Sequence, residues 1–166
     1  MQVLSETNPG AALDRLIGDA LPDQRGLEAW RSFLQAHASL MRELATDLVN
    51  KTGLSLGDFD VLAQLALAGG DLRMTDLAAR AFSSRSGMTR RVDRLVNEGL
   101  VARTSADADA RSIVVALTDA GLERLIETVP VHLHGVAKLF VERLDDHELA
   151  VLATALDKVT LDCTFG

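Results

Sequence analysis

The chain is poor in aromatic side chains: it has no Tyr, one Trp and five Phe in 166 residues. A β-sandwich or barrel of this size would draw on aromatic and β-branched residues. A core assembled from Leu, Val and Ala is instead expected to be mainly α-helical. Cysteine is nearly absent as well. The single Cys163 leaves no intrachain disulfide framework and fits a reducing, cytoplasmic setting. With no Arg, Lys or His beside it in sequence, it does not read as a sensor thiol. No stretch approaches the roughly 18 uncharged apolar residues that a spanning helix needs. Met1–Ala20 is broken by Glu6, Asp14, Arg15 and Asp19, so no signal peptide is read there. Also missing are a glycine-rich phosphate loop, a His-Glu-x-x-His pair and a Gly-x-Ser-x-Gly turn, so nothing in the sequence points to an enzyme or to a cofactor. His132-Leu133-His134 does not make a metal site, because residues two apart on a helix point to different sides.

Positive charge is scarce overall and concentrated where it occurs. The net charge of −7 by itself argues against a polyanionic partner. Residues 1–70 carry 5 basic and 9 acidic side chains, and residues 119–166 carry 4 and 9. Residues 71–118 carry 8 Arg, no Lys and 6 acids, a local excess of +2 between flanks at −4 and −5. Within that stretch, Arg85, Arg90, Arg91, Arg94 and Arg103 face only Asp93 and Glu98 across residues 83–103.

At 48% hydrophobic, a chain of this length is expected to form one domain over residues 1–166. Residues 1–26 read as an N-terminal arm with a short helix at Ala11–Leu21, broken at Pro22-Asp23. From about Leu27 to Asn50, Trp30, Phe33, Leu34, His37, Met41, Leu44 and Leu48 recur at threes and fours, which describes one stripe of a long helix stopped at Gly53. Ser55 caps or precedes a second helix that turns Phe59, Leu62, Ala63, Leu65 and Ala66 inward as far as Gly69-Gly70. Thr75 is the expected N-cap of a short helix, Asp76–Ala81. Ser83 or Ser84 caps a further helix running to about Glu98, with Met88, Val92, Leu95 and Val96 inward and Gly99 at a left-handed stop. Leu100–Arg103 and Ser112–Leu117 flank the polar turn 105–110 and predict a β-hairpin. Helical periodicity resumes at Asp119. Pro130 is expected to interrupt or kink it before Val131–Val141, and a last helix runs from about Asp146 to Leu161.

A short helix, a tight turn, a second helix and a hairpin form the layout of a winged helix-turn-helix, whose second helix enters the major groove. With its apolar face buried, that helix presents Arg85, Ser86, Thr89, Arg90 and Asp93, with Arg94 and Asn97 at the border. Arginine can fork onto guanine, Ser and Thr can reach bases or phosphates, and a helix N-terminus attracts phosphate. Asp93 is expected to orient a neighbouring Arg. A solvated amphipathic helix would show the same charges, but it would not need to sit between a capped short helix and a hairpin.

Leu72-Arg73-Met74-Thr75-Asp76-Leu77-Ala78, Ser84 through Leu95, and Gly99-Leu100-Val101 resemble the central block of the MarR (multiple antibiotic resistance regulator) family. Asp109 and Arg111 are similar to its wing pair, and Leu117-Thr118-Asp119-Ala120-Gly121 to the Leu-Thr-x-x-Gly run that follows. The likeness covers roughly residues 27–161. It implies a mainly α fold with a small β-hairpin wing: a winged helix-turn-helix lobe at 55–118, flanked by dimerisation helices at 27–54 and 119–162. It also implies a homodimer on a pseudo-palindromic double-stranded DNA operator. The DNA-contacting set it suggests is Thr75, Ser84, Arg85, Ser86, Thr89, Arg90, Arg91 and Arg94, with Arg111 in the minor groove steadied by Asp109. Thr104 and Ala110 stand where many members have Arg, which implies a shallower salt dependence of binding.

The apolar positions Trp30 to Leu48, with Leu133, Val136, Phe140, Leu149, Leu152, Leu156 and Val159, exceed what the central block can cover, and the resemblance assigns them to the dimer interface. Many members release DNA when a small anionic or phenolic molecule binds between the dimerisation helices and the reading lobe. Trp30 and His37 are candidate contacts for it, although a buried aromatic and a hydrogen-bonded core or interface His also explain the pair. Urate-responsive members use a Trp in an added N-terminal helix with an Asp and two Arg, matched in part by Asp60, Arg91 and Arg103, while Ala20 or Leu21 stands near the place of the Trp. The expected function is a sequence-specific transcription regulator, a repressor relieved by such a ligand. The alternative is a winged helix used for protein contact without specific DNA binding, which the modest +2 would fit.

Overall fold

The computed structural model describes residues 8–20, 24–81, 85–105 and 113–161. The chain divides into two compact units, Met1–Arg42 and Glu43–Gly166.

In the first unit, α1 spans Pro9–Ala20, starting two residues before the expected helix. Proline at the first helical position needs no N–H partner, and the Asn8 Oδ1 accepts the Gly10 N–H at 3.0 Å. Helix α2 spans Gln24–Thr52, and its residues to Arg42 belong to this unit. They carry a run of rings: Trp30 and Phe33 centroids lie 6.0 Å apart, and Phe33 and His37 6.3 Å. Trp30, Phe33, Leu34 and Met41 are all exposed.

The second unit contains the core. Leu44 and Leu48 from the end of α2 are buried, as are Val61, Leu62 and Leu65 of α3 (Leu56–Leu67). Helix α4 (Met74–Arg80) adds Leu77, and α5 (Arg85–Asn97) adds Met88, Val92 and Leu95. The α3 helix starts where Ser55 was expected to cap it: its Oγ accepts the Asp58 N–H at 3.2 Å. The Thr75 cap is corrected. Helix α4 begins at Met74 after an extended Arg73, because a strand the sequence reading missed, β1 (Asp71–Arg73), is held extended up to the helix start. Its three residues pair antiparallel with β3 (Ile113–Leu117), Leu72 opposite Val115. β3 in turn pairs with β2 (Val101–Ser105), so the sheet order is β1-β3-β2.

Helix α6 runs unbroken over Asp119–Leu139, with Thr118 as N-cap, so the expected interruption at Pro130 does not occur. Pro130 forfeits one backbone hydrogen bond, but Leu125 and Thr128 before it and Gly135 after it are buried, and this packing keeps both sides helical. A 3₁₀ turn, Val141–Arg143, follows where helix was expected as far as Val141. Helix α7 (Asp146–Leu161) matches expectation. Asp145 and Glu148 cap it reciprocally: the Asp145 N–H donates to Glu148 Oε2 at 2.9 Å and the Glu148 N–H to Asp145 Oδ1 at 2.8 Å. Among the described residues, no helix is long and apolar enough to cross a membrane.

Candidate nucleic-acid interface

Burial of Met88, Val92 and Leu95 fixes the rotation of α5 and turns Ser86, Thr89 and Arg90 to solvent. The helix stops sharply at Gly99, whose φ of 74° suits glycine. The Leu100 N–H then bonds back to the Leu95 carbonyl at 2.9 Å and the Gly99 N–H to the Val96 carbonyl at 3.0 Å, which launches β2 directly from the helix end. Arg103, on β2, closes this corner from the other side, pairing with Asp93 at 2.5 Å and donating to the Thr89 carbonyl at 3.5 Å. Asp93 therefore orients an arginine as expected, but one from the wing strand and not from its own helix.

The remaining arginines on α5 divide. Arg90 is exposed and makes no ion pair among the described residues. Arg94 donates through Nη2 to both oxygens of Asp58, at 2.5 and 2.7 Å, and Arg91 Nη1 lies 3.5 Å from Asp58 Oδ1. These hydrogen bonds hold the Arg94 guanidinium above its ordinary pKa, against a smaller opposing effect of burial. Asp58 is only 4% exposed and also accepts the Ser55 hydroxyl at 2.6 Å. Sequence reasoning missed it. The available signal was Ser55-x-x-Asp58, a capping-box spacing that announces a helix start but not a partner 36 residues on.

The MarR family sequence model matches residues 52–112, which run from the end of α2 through this corner. Sco3205, a MarR family regulator from Streptomyces coelicolor solved in complex with DNA, superimposes with a TM-score of 0.77 at 30% identity, covering 83% of this chain and 90% of that one. The chain belongs to the MarR family. AbsC, a second MarR family regulator from Streptomyces coelicolor, gives a TM-score of 0.76 at 29% identity over 83% of this chain and 93% of its own. PecS from Dickeya dadantii, an HTH-type transcriptional regulator, is 29% identical over 123 residues, 70% of this chain and 74% of PecS. As a member of that family, the chain is a DNA-binding transcriptional regulator and not an enzyme.

The MarR resemblance proposed further site residues, and the structure treats them unevenly. Ser84, Asp109 and Arg111, the side chain of Arg85 and the whole of Cys163 lie outside the described residues. Thr75 is exposed on the first turn of α4, its hydroxyl 3.4 Å from Asp76 Oδ1. The partial urate match does not assemble: Asp60 accepts from Gln64 Nε2 at 3.4 Å, Arg91 turns to Asp58, and Arg103 turns to Asp93. No hydrogen bond or ion pair among the described residues joins Asp60 to Arg91 or Arg103. Trp30 and His37 are both exposed on α2.

A cavity of about 290 Å³ lies between Glu43, Asp47 and Lys51 of α2 and His134, Gly135, Lys138 and Leu139 of α6, and none of the expected ligand residues lines it. His132, on the same helix as His134, packs its ring 4.6 Å from Phe59. Its Nδ1 is enclosed without a hydrogen-bond partner, and burial pushes its pKa below the usual histidine value.

Proposed function

We propose that two copies of this chain form a homodimer that reads a pseudo-palindromic DNA operator with the exposed face of α5, and that it represses transcription until a small anionic or phenolic ligand releases it. The observation that carries the DNA reading is the rotation of α5: its apolar residues are buried, and Arg90 is exposed on the same face as Ser86 and Thr89, with no ion pair among the described residues. A guanidinium in that position suits guanine in the major groove. The wing pair Asp109 and Arg111, with Ser84 and Arg85, extends the proposed surface toward the phosphates and the minor groove. The exposed stripe of Trp30, Phe33, Leu34 and Met41 supports the dimer, since a single recognition helix reads too few base pairs for specificity. Trp30 and His37 are the proposed ligand contacts. Asp60 and Arg103 are less favoured, because both are already engaged within the fold.

DNA selection with the purified protein tests the reading. Paired half-sites with centres about one helical turn apart, roughly 34 Å, are expected. Recovery of single half-sites alone would remove the dimer model. Arg90→Ala should weaken operator binding by about 1–3 kcal/mol and relax the preference at one position. A salt titration on random duplex separates DNA binding from a protein-contact role, which would show no steep logarithmic slope. Ligand relief requires that operator DNA weaken ligand binding by the same factor as the ligand weakens DNA binding. Equal ligand affinities for free and operator-bound protein, measured by calorimetry, would eliminate it.

A further inference from the structure

Two of the arginines on the recognition helix are not free to meet DNA as the fold stands. Arg91 and Arg94, one turn apart on α5, both turn to the carboxylate of Asp58 on α3, at 3.5 Å and 2.5 Å. Asp58 is buried and additionally held by the Ser55 hydroxyl at 2.6 Å, so its position is set by the first turn of α3 and not by the arginines. Gly57 completes the seat. A Cβ at that position would overlap the Arg91 guanidinium, and the bare glycine face is where that group lies. Arg94 remains 51% exposed even while bound, and a guanidinium has five N–H donors, of which the Asp58 contact takes only part. Freed from Asp58, each guanidinium would be left to seek another anionic partner, such as a phosphate.

We propose that Asp58 is a specificity-determining positioning residue: by holding Arg91 and Arg94 against α3 it withholds two cations from sequence-independent phosphate contact and leaves discrimination to the face around Arg90. The physical basis is that each phosphate neutralised adds about 0.9 to the logarithmic salt slope on any sequence, whereas base contacts add affinity only on the correct one. A regulator that carries more loose arginines binds everything better and distinguishes less. Asp58 also fixes the orientation of α5 on α3, so the same carboxylate that suppresses non-specific binding aims the reading face. This inference rests on the DNA-binding role of α5 proposed above.

The experiment measures affinity for operator and for random duplex as a function of salt, in the unmodified protein and in Asp58→Asn, Asp58→Glu and Gly57→Ala. Operator preference in the unmodified protein tests the underlying DNA reading, and its absence would sink that reading before any variant is considered. Given that preference, Asp58→Asn should bind random duplex up to roughly tenfold more tightly per released guanidinium at about 0.1 M salt. Its slope should be steeper and its operator-to-random ratio lower. Asp58→Glu, which keeps the charge, should restore most of that ratio. Gly57→Ala displaces only Arg91, the flexible partner, so it should keep or raise the melting temperature while steepening the random-duplex slope by up to about one contact. If Asp58→Asn fails to fold, the glycine variant still decides. Unchanged random-duplex slopes in the folded variants, or parallel losses on both DNAs at unchanged slope, would overturn the proposal and leave Asp58 a purely structural contact.

Discussion

Residues 30–41 and residues 44–48 lie on one helix and obey one spacing, yet their environments are opposite. Leu44 and Leu48 are both buried, and Leu48, at 1% exposure, lies among core residues of α3, α5 and the sheet. Trp30, Phe33, Leu34 and Met41 carry larger or equal apolar surface and remain open, Trp30 at 53%. A hydrophobic period shows which face of a helix seeks cover. It does not say whether the cover comes from the same chain. For the second stretch the chain itself supplies it, and for the first the proposed homodimer would supply it from a second copy.

The largest expected effect comes from breaking the covered stretch. Leu48→Ala should destabilise the fold by about 2–5 kcal/mol, because the surrounding core relaxes only partly around the lost atoms. Denaturant unfolding checks this, and a loss near zero would mean that the end of α2 does not belong to the core. Phe33→Asp, in the open stretch, should have a smaller and different effect. It should reduce self-association by about 1.5–3 kcal/mol for each ring kept out of an interface, read by sedimentation equilibrium, while near-UV and unfolding signals of residues 43–161 persist. Association as strong as in the parent chain would take the second copy away as the cover.

Arg124 sharpens the comparison at the end of α2, where its Nη2 donates to the Thr52 carbonyl, one of the helix's unpaired terminal acceptors. Arg124→Met should cost about 1.5 kcal/mol. A loss of hydrogen-exchange protection confined to the last turn of α2 would show that the tie is local.

The smallest effect is a pH dependence carried by His132, half-buried against Phe59. Its folded pKa is lowered by desolvation, so below the usual value of about 6.5 the unfolded chain binds the proton more readily. Its contribution to stability is therefore intact above about pH 6.5 and is lost as pH falls through and below that value. His132→Phe should flatten that part of the stability-against-pH curve between pH 7 and 5. A curve that keeps its full slope would place the pH sensitivity elsewhere.

Much of this arrangement was legible before the fold was known. The α2 stripe, the inward set Met88, Val92 and Leu95, the Ser55 cap and the Gly99 stop all rest on local rules of spacing and capping that act within one or two turns. What escaped reading has a common cause. β1 is three residues long and two of them are charged, so it has no strand pattern of its own and exists only because β3 pairs with it. Thr75 lost the cap position for the same reason. Pro130 was expected to interrupt or kink the helix, and the buried residues that flank it keep the helix continuous.

By itself the sequence determined the helices, the apolar faces that drive their burial, the local positive charge and the MarR likeness, because these depend on neighbours close along the chain. Only the tertiary structure decided which arginines are available. Arg90, Arg91 and Arg94 share one helix and one charge, and a carboxylate 36 residues before Arg94 separates them, holding Arg94 at 2.5 Å and Arg91 at 3.5 Å and leaving Arg90 to solvent. An ion pair between distant segments depends on where the core places two helices, and no spacing rule along one helix contains that information.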